Sequence, residues 1–128
     1  MGIHGLEAWR RRFSADRKAI ERRRIAGLRQ ARRTAAALRV LWPGIRQIWL
    51  FGSLLTPGFH GDSDLDLLLE GLPAEALIEA AAVAERSGPL APDLKRSEDL
   101  DPELRQRLQR GARPLLHVPA PIGGGDAP

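Results

Sequence analysis

The run GSLLTPGFHGDSDLDLLL, Gly52 to Leu69, carries the pattern around which the rest of the chain is arranged. It joins a turn suited to phosphate, Gly52-Ser53, to two carboxylates, Asp64 and Asp66, on one predicted strand. Residues i and i+2 of a strand share a face at about 6.6 Å. Both carboxylates are therefore able to ligate one cation, or two held roughly 3.5–4 Å apart. Oxygen-only ligands select a hard ion such as Mg²⁺, which completes its shell with substrate phosphates. Glycine lets a backbone approach a phosphate closely, and the Ser53 hydroxyl adds a donor. A Gly-Ser turn is common by itself, and so is a solvated pair of aspartates. A strand, Gly-Ser, a loop and Asp-x-Asp on a new strand form a far rarer combination.

Working outward, Ile45 to Phe51 reads as a strand whose apolar run Ile48-Trp49-Leu50-Phe51 predicts burial on both faces. Ser63 to Leu69 is a second strand, with Leu65, Leu67 and Leu69 on one face and Asp64, Asp66 and Leu68 on the other. Upstream, Ser14 to Leu41 holds no proline and a single glycine, Gly27, which predicts a long helix with Ser14 as N-cap. Leu28, Ala31, Ala35, Leu38 and Trp42 give that helix one apolar stripe. Arg22, Arg29, Arg33 and Arg39 lie away from the stripe, as a solvated face or as a docking surface for an acidic macromolecule. Pro43-Gly44 ends the helix.

Downstream, Pro73 to Arg86 predicts a helix that turns Leu77, Ile78, Ala81 and Val83 to the sheet. Ala91 to Ser97 is a third strand, which Pro92 confines to a strand start or an edge. Asp101 caps a last helix from Pro102 to Arg110, Gly111 stops it, and Ala112 to Val118 adds a short edge strand. The expected fold class is α+β: a small mixed sheet of three to four strands flanked by helices, with a long N-terminal helix. The expected organisation is a basic tail over 1–13, one domain over 14–118 (helix 14–41, core 45–118) and a flexible tail over 119–128.

At 128 residues the chain suits one domain with a single core. It has no cysteine, which excludes disulfides and thiolate metal sites and makes the cytoplasm the expected location. No apolar run approaches the roughly 20 residues of a membrane span, and Arg10, Arg11 and Arg12 have no apolar segment behind them to form a secretory signal. The net charge of +4 conceals a division: residues 1–50 hold 13 Lys/Arg against 3 Asp/Glu, a balance of +10, and residues 51–128 hold 7 against 13, a balance of −6. A basic arm fits an acidic partner or nucleic acid, and an acidic body fits divalent cations. Few aromatics accompany the arginines, so a base-stacking platform is disfavoured.

Gly52-Ser53, ten residues, then Asp64-Leu65-Asp66-Leu67 resembles the signature of the DNA polymerase β-like nucleotidyltransferase superfamily, and most of all its minimal, antitoxin-type members. The resemblance covers roughly Leu38 to His117. It implies a palm-like nucleotidyltransferase fold and a third carboxylate on the next strand, where Asp93-Leu94 stands. By this likeness Asp64, Asp66 and Asp93 hold two Mg²⁺ ions, Asp93 helps activate the attacking hydroxyl, and Gly52 and Ser53 grip the triphosphate of ATP or another NTP. The implied reaction moves AMP to a hydroxyl acceptor. The implied partner is a helical HEPN-type protein, modified on tyrosine in a toxin–antitoxin pair, or else a second copy completes the site. Members often carry arginines just after Gly-Ser, where this chain has Leu54, Leu55 and Thr56. The alternatives are a fold of this kind that neutralises a partner by binding alone, with Leu54 and Thr56 as marks of lost turnover, and a nucleic-acid binder acting through residues 10–39. His60 is expected to be an ordinary surface histidine.

Overall fold

Leu28, Ala31, Ala35 and Leu38 recur at the spacing that puts them on one side of a helix, and that side is where the core forms. The computed structural model describes residues 2–117. Helix α1 spans Gly2–Leu41. Ala31, Ala35 and Leu38 are buried in the core, with Leu28 and Trp42 packed against its margin. Arg22, Arg29, Arg33 and Arg39 are all exposed. Gly27 costs the helix about 1 kcal/mol relative to alanine, yet a Cβ there would stand 2.5 Å from Leu90 Cδ1 and 3.1 Å from Leu54 Cδ1. Each buried leucine contributes roughly 1.5–3 kcal/mol, so close approach outweighs helix propensity at this position.

The helix begins at Gly2, and residues 2–13 are helical where the sequence predicts a tail. Ser14 therefore lies inside the helix and caps nothing. Arginine, alanine and glutamate before it are good helix formers, and Leu6, Trp9 and Phe13 continue the three- and four-residue spacing. Trp9 stacks on Phe13 with ring centroids 5.3 Å apart, and the Arg17 guanidinium lies 5.9 Å from the Phe13 centroid, so i,i+4 contacts support this exposed stretch. The tail expected over 119–128 lies outside the described residues.

Four strands follow: β1 (Gln47–Phe51), β2 (Leu65–Glu70), β3 (Pro92–Arg96) and β4 (Arg113–His117). Their order is β3-β2-β1-β4, with β1 antiparallel to β2 and to β4, and β2 parallel to β3. Pro92 thus starts an edge strand, where its missing N–H costs no ladder bond. The parallel β2–β3 pair needs a crossover, and helix α2 (Leu77–Arg86) supplies it after a short turn at Ala74–Ala76. Helix α3 (Pro102–Gln109) links β3 to β4, and the Asp101 side chain accepts from Leu104 N at its start.

Cross-strand register divides the sheet into two faces. Ile48 pairs with Leu69 and Leu50 with Leu67, and these four residues meet α1 and α2 in the core. Trp49 pairs with Leu68 and Phe51 with Asp66 on the opposite face. That face is only partly covered: α3 packs near the start of β1, while Trp49 and Phe51 remain half-buried. The expectation that β1 is buried on both faces is corrected accordingly. A second correction concerns α2, whose buried residues are Ala80, Val83 and Ala84, while Ile78 is 85% exposed. The three-residue turn before the helix rotates Ile78 away from the sheet.

Candidate active site

The open face ends where β1 stops. Gly52 adopts φ 83° and ψ −157°, a region in which side-chain-bearing residues are strained by about 1–3 kcal/mol. Space makes the same demand, because a Cβ on Gly52 would collide with the Asp66 carboxylate. A single 3-10 turn, Ser53–Leu55, follows, closed by Leu55 N donating to Gly52 O at 3.1 Å and Thr56 N donating to Ser53 O at 3.0 Å. Ser53, half-buried, opens that turn beside the carboxylates.

The uncharged residues of this turn have structural tasks. Leu54 is fully buried in the core. The Thr56 hydroxyl donates to Ser53 O at 3.1 Å and accepts from Gly58 N at 3.2 Å. From α1, Arg24 Nη1 donates to Thr56 O at 3.0 Å and ties the turn to the helix behind it. Position 54 faces the core, so an arginine there would carry its charge into apolar packing. His60 staples the following loop: its ring Nδ1 accepts from Asp62 N at 3.1 Å, and its own N donates to Ser63 Oγ at 2.9 Å.

Asp66 stands opposite Phe51 of β1 and in register with Asp93 of β3. Burial, foremost, pushes its carboxyl up from the ordinary 3.8 to about 6, and the negative charges of Asp93 and Asp64 add to the effect. The positive charge of Lys95 offsets part of the shift. Lys95 Nζ lies 3.1 and 3.0 Å from the two Asp93 oxygens. Asp64 precedes β2 and is exposed at the mouth of the site.

Of the residues nominated from sequence, the fold brings Asp66, Asp93 and Gly52 into contact or register, with Ser53 adjoining. Asp64 reaches the others through charge. Among the described residues no three His, Cys, Asp or Glu side chains already converge as a metal cage. The donor chemistry nevertheless fits a hard divalent cation, because like-charged oxygens are gathered where a cation would relieve their repulsion. Lys95 does not figure in the sequence reading, although its i+2 spacing from Asp93 on a strand puts both on one face.

A family model described as a nucleotidyltransferase domain matches residues 31–113. Solved structures share the fold. One is a toxin–antitoxin complex crystallised with AMP-PNP, at 22% identity and a TM-score of 0.59 over 68% of this chain and 73% of that chain. Another is the toxin–antitoxin complex MntA-HepT, at 21% identity and a TM-score of 0.55 over 70% and 71%. A third is a tri-AMPylated HEPN toxin of Shewanella oneidensis with its MNT antitoxin, at 20% identity and a TM-score of 0.57 over 72% and 73%. No curated protein matches the sequence. The family match runs from the apolar stripe of α1 through both carboxylate-bearing strands to the start of β4, and the chain belongs to the nucleotidyltransferase domain family.

Proposed function

We propose that this chain transfers AMP from ATP to a hydroxyl on a protein partner, a tyrosine of a helical HEPN-type protein, and acts as the antitoxin of that pair. One observation carries the reading: Asp66 and Asp93 stand in register on neighbouring strands with the bare backbone of Gly52 packed on the first of them. Two acidic groups beside a glycine turn form a place where a phosphate and a cation meet. The partner assignment draws on the fold shared with toxin–antitoxin complexes.

In this mechanism Asp64, Asp66 and Asp93 are the residues that would hold two Mg²⁺ ions, with the Asp66 carboxylate ionised. Bound there, such ions would supply Lewis-acid polarisation and charge neutralisation for the phosphoryl transfer. Gly52 and Ser53 position the polyphosphate. Lys95 fixes the Asp93 carboxylate at 3.0–3.1 Å, aligned to take the proton of the acceptor hydroxyl. The acceptor oxygen forms a bond to the α-phosphorus, the bond to the β-phosphate oxygen breaks, and pyrophosphate leaves.

The test is incubation with α-labelled ATP, Mg²⁺ and a helical HEPN-type protein that binds this chain. The partner should become labelled, and Asp64→Asn or Asp66→Asn should reduce labelling by about two orders of magnitude. Binding of the partner without nucleotide transfer, under any divalent metal, would overturn the enzymatic reading. That outcome would favour the second reading, neutralisation by complex formation, for which the absence of a cation from residues 52–56 is the supporting observation.

A further inference from the structure

A cleft of about 340 Å³ opens between the end of β1 and the last turn of α3. Phe51, Gly52 and Thr56 line one side of it, and Arg107, Leu108 and Arg110 line the other. Phe51 is the cross-strand partner of Asp66, so the cleft opens on the face that carries the carboxylates. We propose that this cleft binds the β- and γ-phosphates of the nucleoside triphosphate, with Arg107 and Arg110 supplying the positive charge that the Gly52–Thr56 turn does not carry. The proposal rests on the nucleotidyl-transfer reading of the same site and adds cationic residues to the polyphosphate site that this reading gives only to Gly52 and Ser53.

Charge is the first argument. A triphosphate entering an acidic body needs cations, and residues 52–56 contain none. Position 54 is closed to a charged side chain by its burial. The two basic groups of β3 and its end are engaged, Lys95 with Asp93 at 3.0 Å and Arg96 with Asp99 at 2.5 Å. Arg107 reaches Glu103 only at 3.9 Å, with both side chains largely exposed, a contact of little strength. Arg110 has no ion-pair partner among the described residues.

Position is the second argument. Arg107 stands in the last turn of α3 and Arg110 is the residue that caps it, and both line the cleft. The carboxyl end of a helix repels anions unless cations offset it, and the two arginines stand at that end. Guanidinium groups match phosphate oxygens in a bidentate fork. Gly52 borders both the cleft and the Asp66 carboxylate. A polyphosphate lying in the cleft would therefore lead its α-phosphate toward Asp66.

The experiment measures binding of ATP, AMP and inorganic tripolyphosphate to the full chain in Mg²⁺ by titration calorimetry, for wild type, Arg107→Ala/Arg110→Ala and Arg107→Lys/Arg110→Lys. Circular dichroism confirms that each variant is folded. The alanine pair should weaken ATP and tripolyphosphate at least about ten-fold and leave AMP within about two-fold, with the lysine pair in between. Unchanged ATP binding in the alanine pair would overturn the proposal, and so would an equal loss of ATP and AMP affinity. Failure of the transfer reading is separable: tripolyphosphate binding that depends on both arginines, in a chain that never labels a partner, would sustain the cleft assignment alone.

Discussion

Asp66 and Asp93 stand in register on two parallel strands, and the negative charge of Asp93 helps hold the Asp66 carboxyl above its ordinary range. Such a pair is stable only if one member holds a proton or a cation intervenes. The arrangement places a cost on the folded chain that ligand binding can remove.

Stability should therefore carry a pH signature from Asp66. Its carboxyl titrates at about 6 in the folded chain, against 3.8 ordinarily. The folded state holds the proton more tightly, so this group's stabilisation is present below the lower value and is lost as pH rises through the upper one. The full shift corresponds to roughly 3 kcal/mol, which partial exposure and solvent screening reduce to about 1 kcal/mol. In urea melts Asp66→Asn should exceed wild type by about that amount near pH 8, with the gap shrinking by more than half near pH 4.5. A gap constant with pH would contradict the assignment.

Gly52→Ala tests the backbone beside that carboxylate. Its Cβ adds strain at φ 83° and displaces Asp66. A loss of roughly 2 kcal/mol in chemical denaturation is expected, together with a fall in Mg²⁺-dependent ATP binding. Wild-type behaviour in both assays would show that the turn relaxes freely.

Leu54 separates a structural residue from a degenerate one. Leu54→Ala should cost about 2–5 kcal/mol as a cavity. Leu54→Arg should cost at least as much, because it buries an unpaired charge. Thermal melts decide the matter: if Leu54→Arg keeps wild-type stability, the side chain is not committed to the core.

Gln30 is a fully buried amide that binds three backbone groups. Its Nε2 donates to Ala84 O at 2.9 Å and Leu90 O at 2.8 Å, and its Oε1 accepts from Leu90 N at 2.8 Å. These bonds tie α1 to the end of α2 and to the segment entering β3. Gln30→Ala should destabilise by about 3 kcal/mol, since the orphaned groups lose all their partners. Amide exchange at Leu90 should accelerate in step.

Among the described side chains of α1, none before Ile20 belongs to the core. The first turns extend about 27 Å beyond it, past the turn that Arg24 holds, with Leu6, Trp9 and Phe13 exposed. Under the proposed function this arm meets the partner. Deleting residues 2–19 should leave the melting temperature within roughly 2 °C and weaken partner binding at least ten-fold in calorimetry. Intact binding would remove the arm from the interface.

Much of the architecture is legible because burial repeats along the chain with the period of each element. Leu65, Leu67 and Leu69 alternate with Asp64 and Asp66, and the core takes up that alternation. Pro92 names an edge strand and Asp101 a helix cap, each by a local rule of hydrogen bonding. The start of α1 is illegible, because arginine and alanine extend a helix as readily as they leave it and no stop signal intervenes. Ile78 and Leu54 mislead for a different reason. One is apolar and exposed, the other stands where a cation is expected and is buried, and only the packing of neighbouring elements decides such cases.

By itself, then, the sequence determined the two carboxylates at the start of β2, the glycine turn before them and the strand that bears Asp93, since all three follow from local spacing. The tertiary structure alone decided that Asp93 stands in register with Asp66 and that Arg107 and Arg110 line a cleft with Gly52. Register between strands and the docking of a helix depend on contacts between residues far apart in the chain, and no local period encodes them.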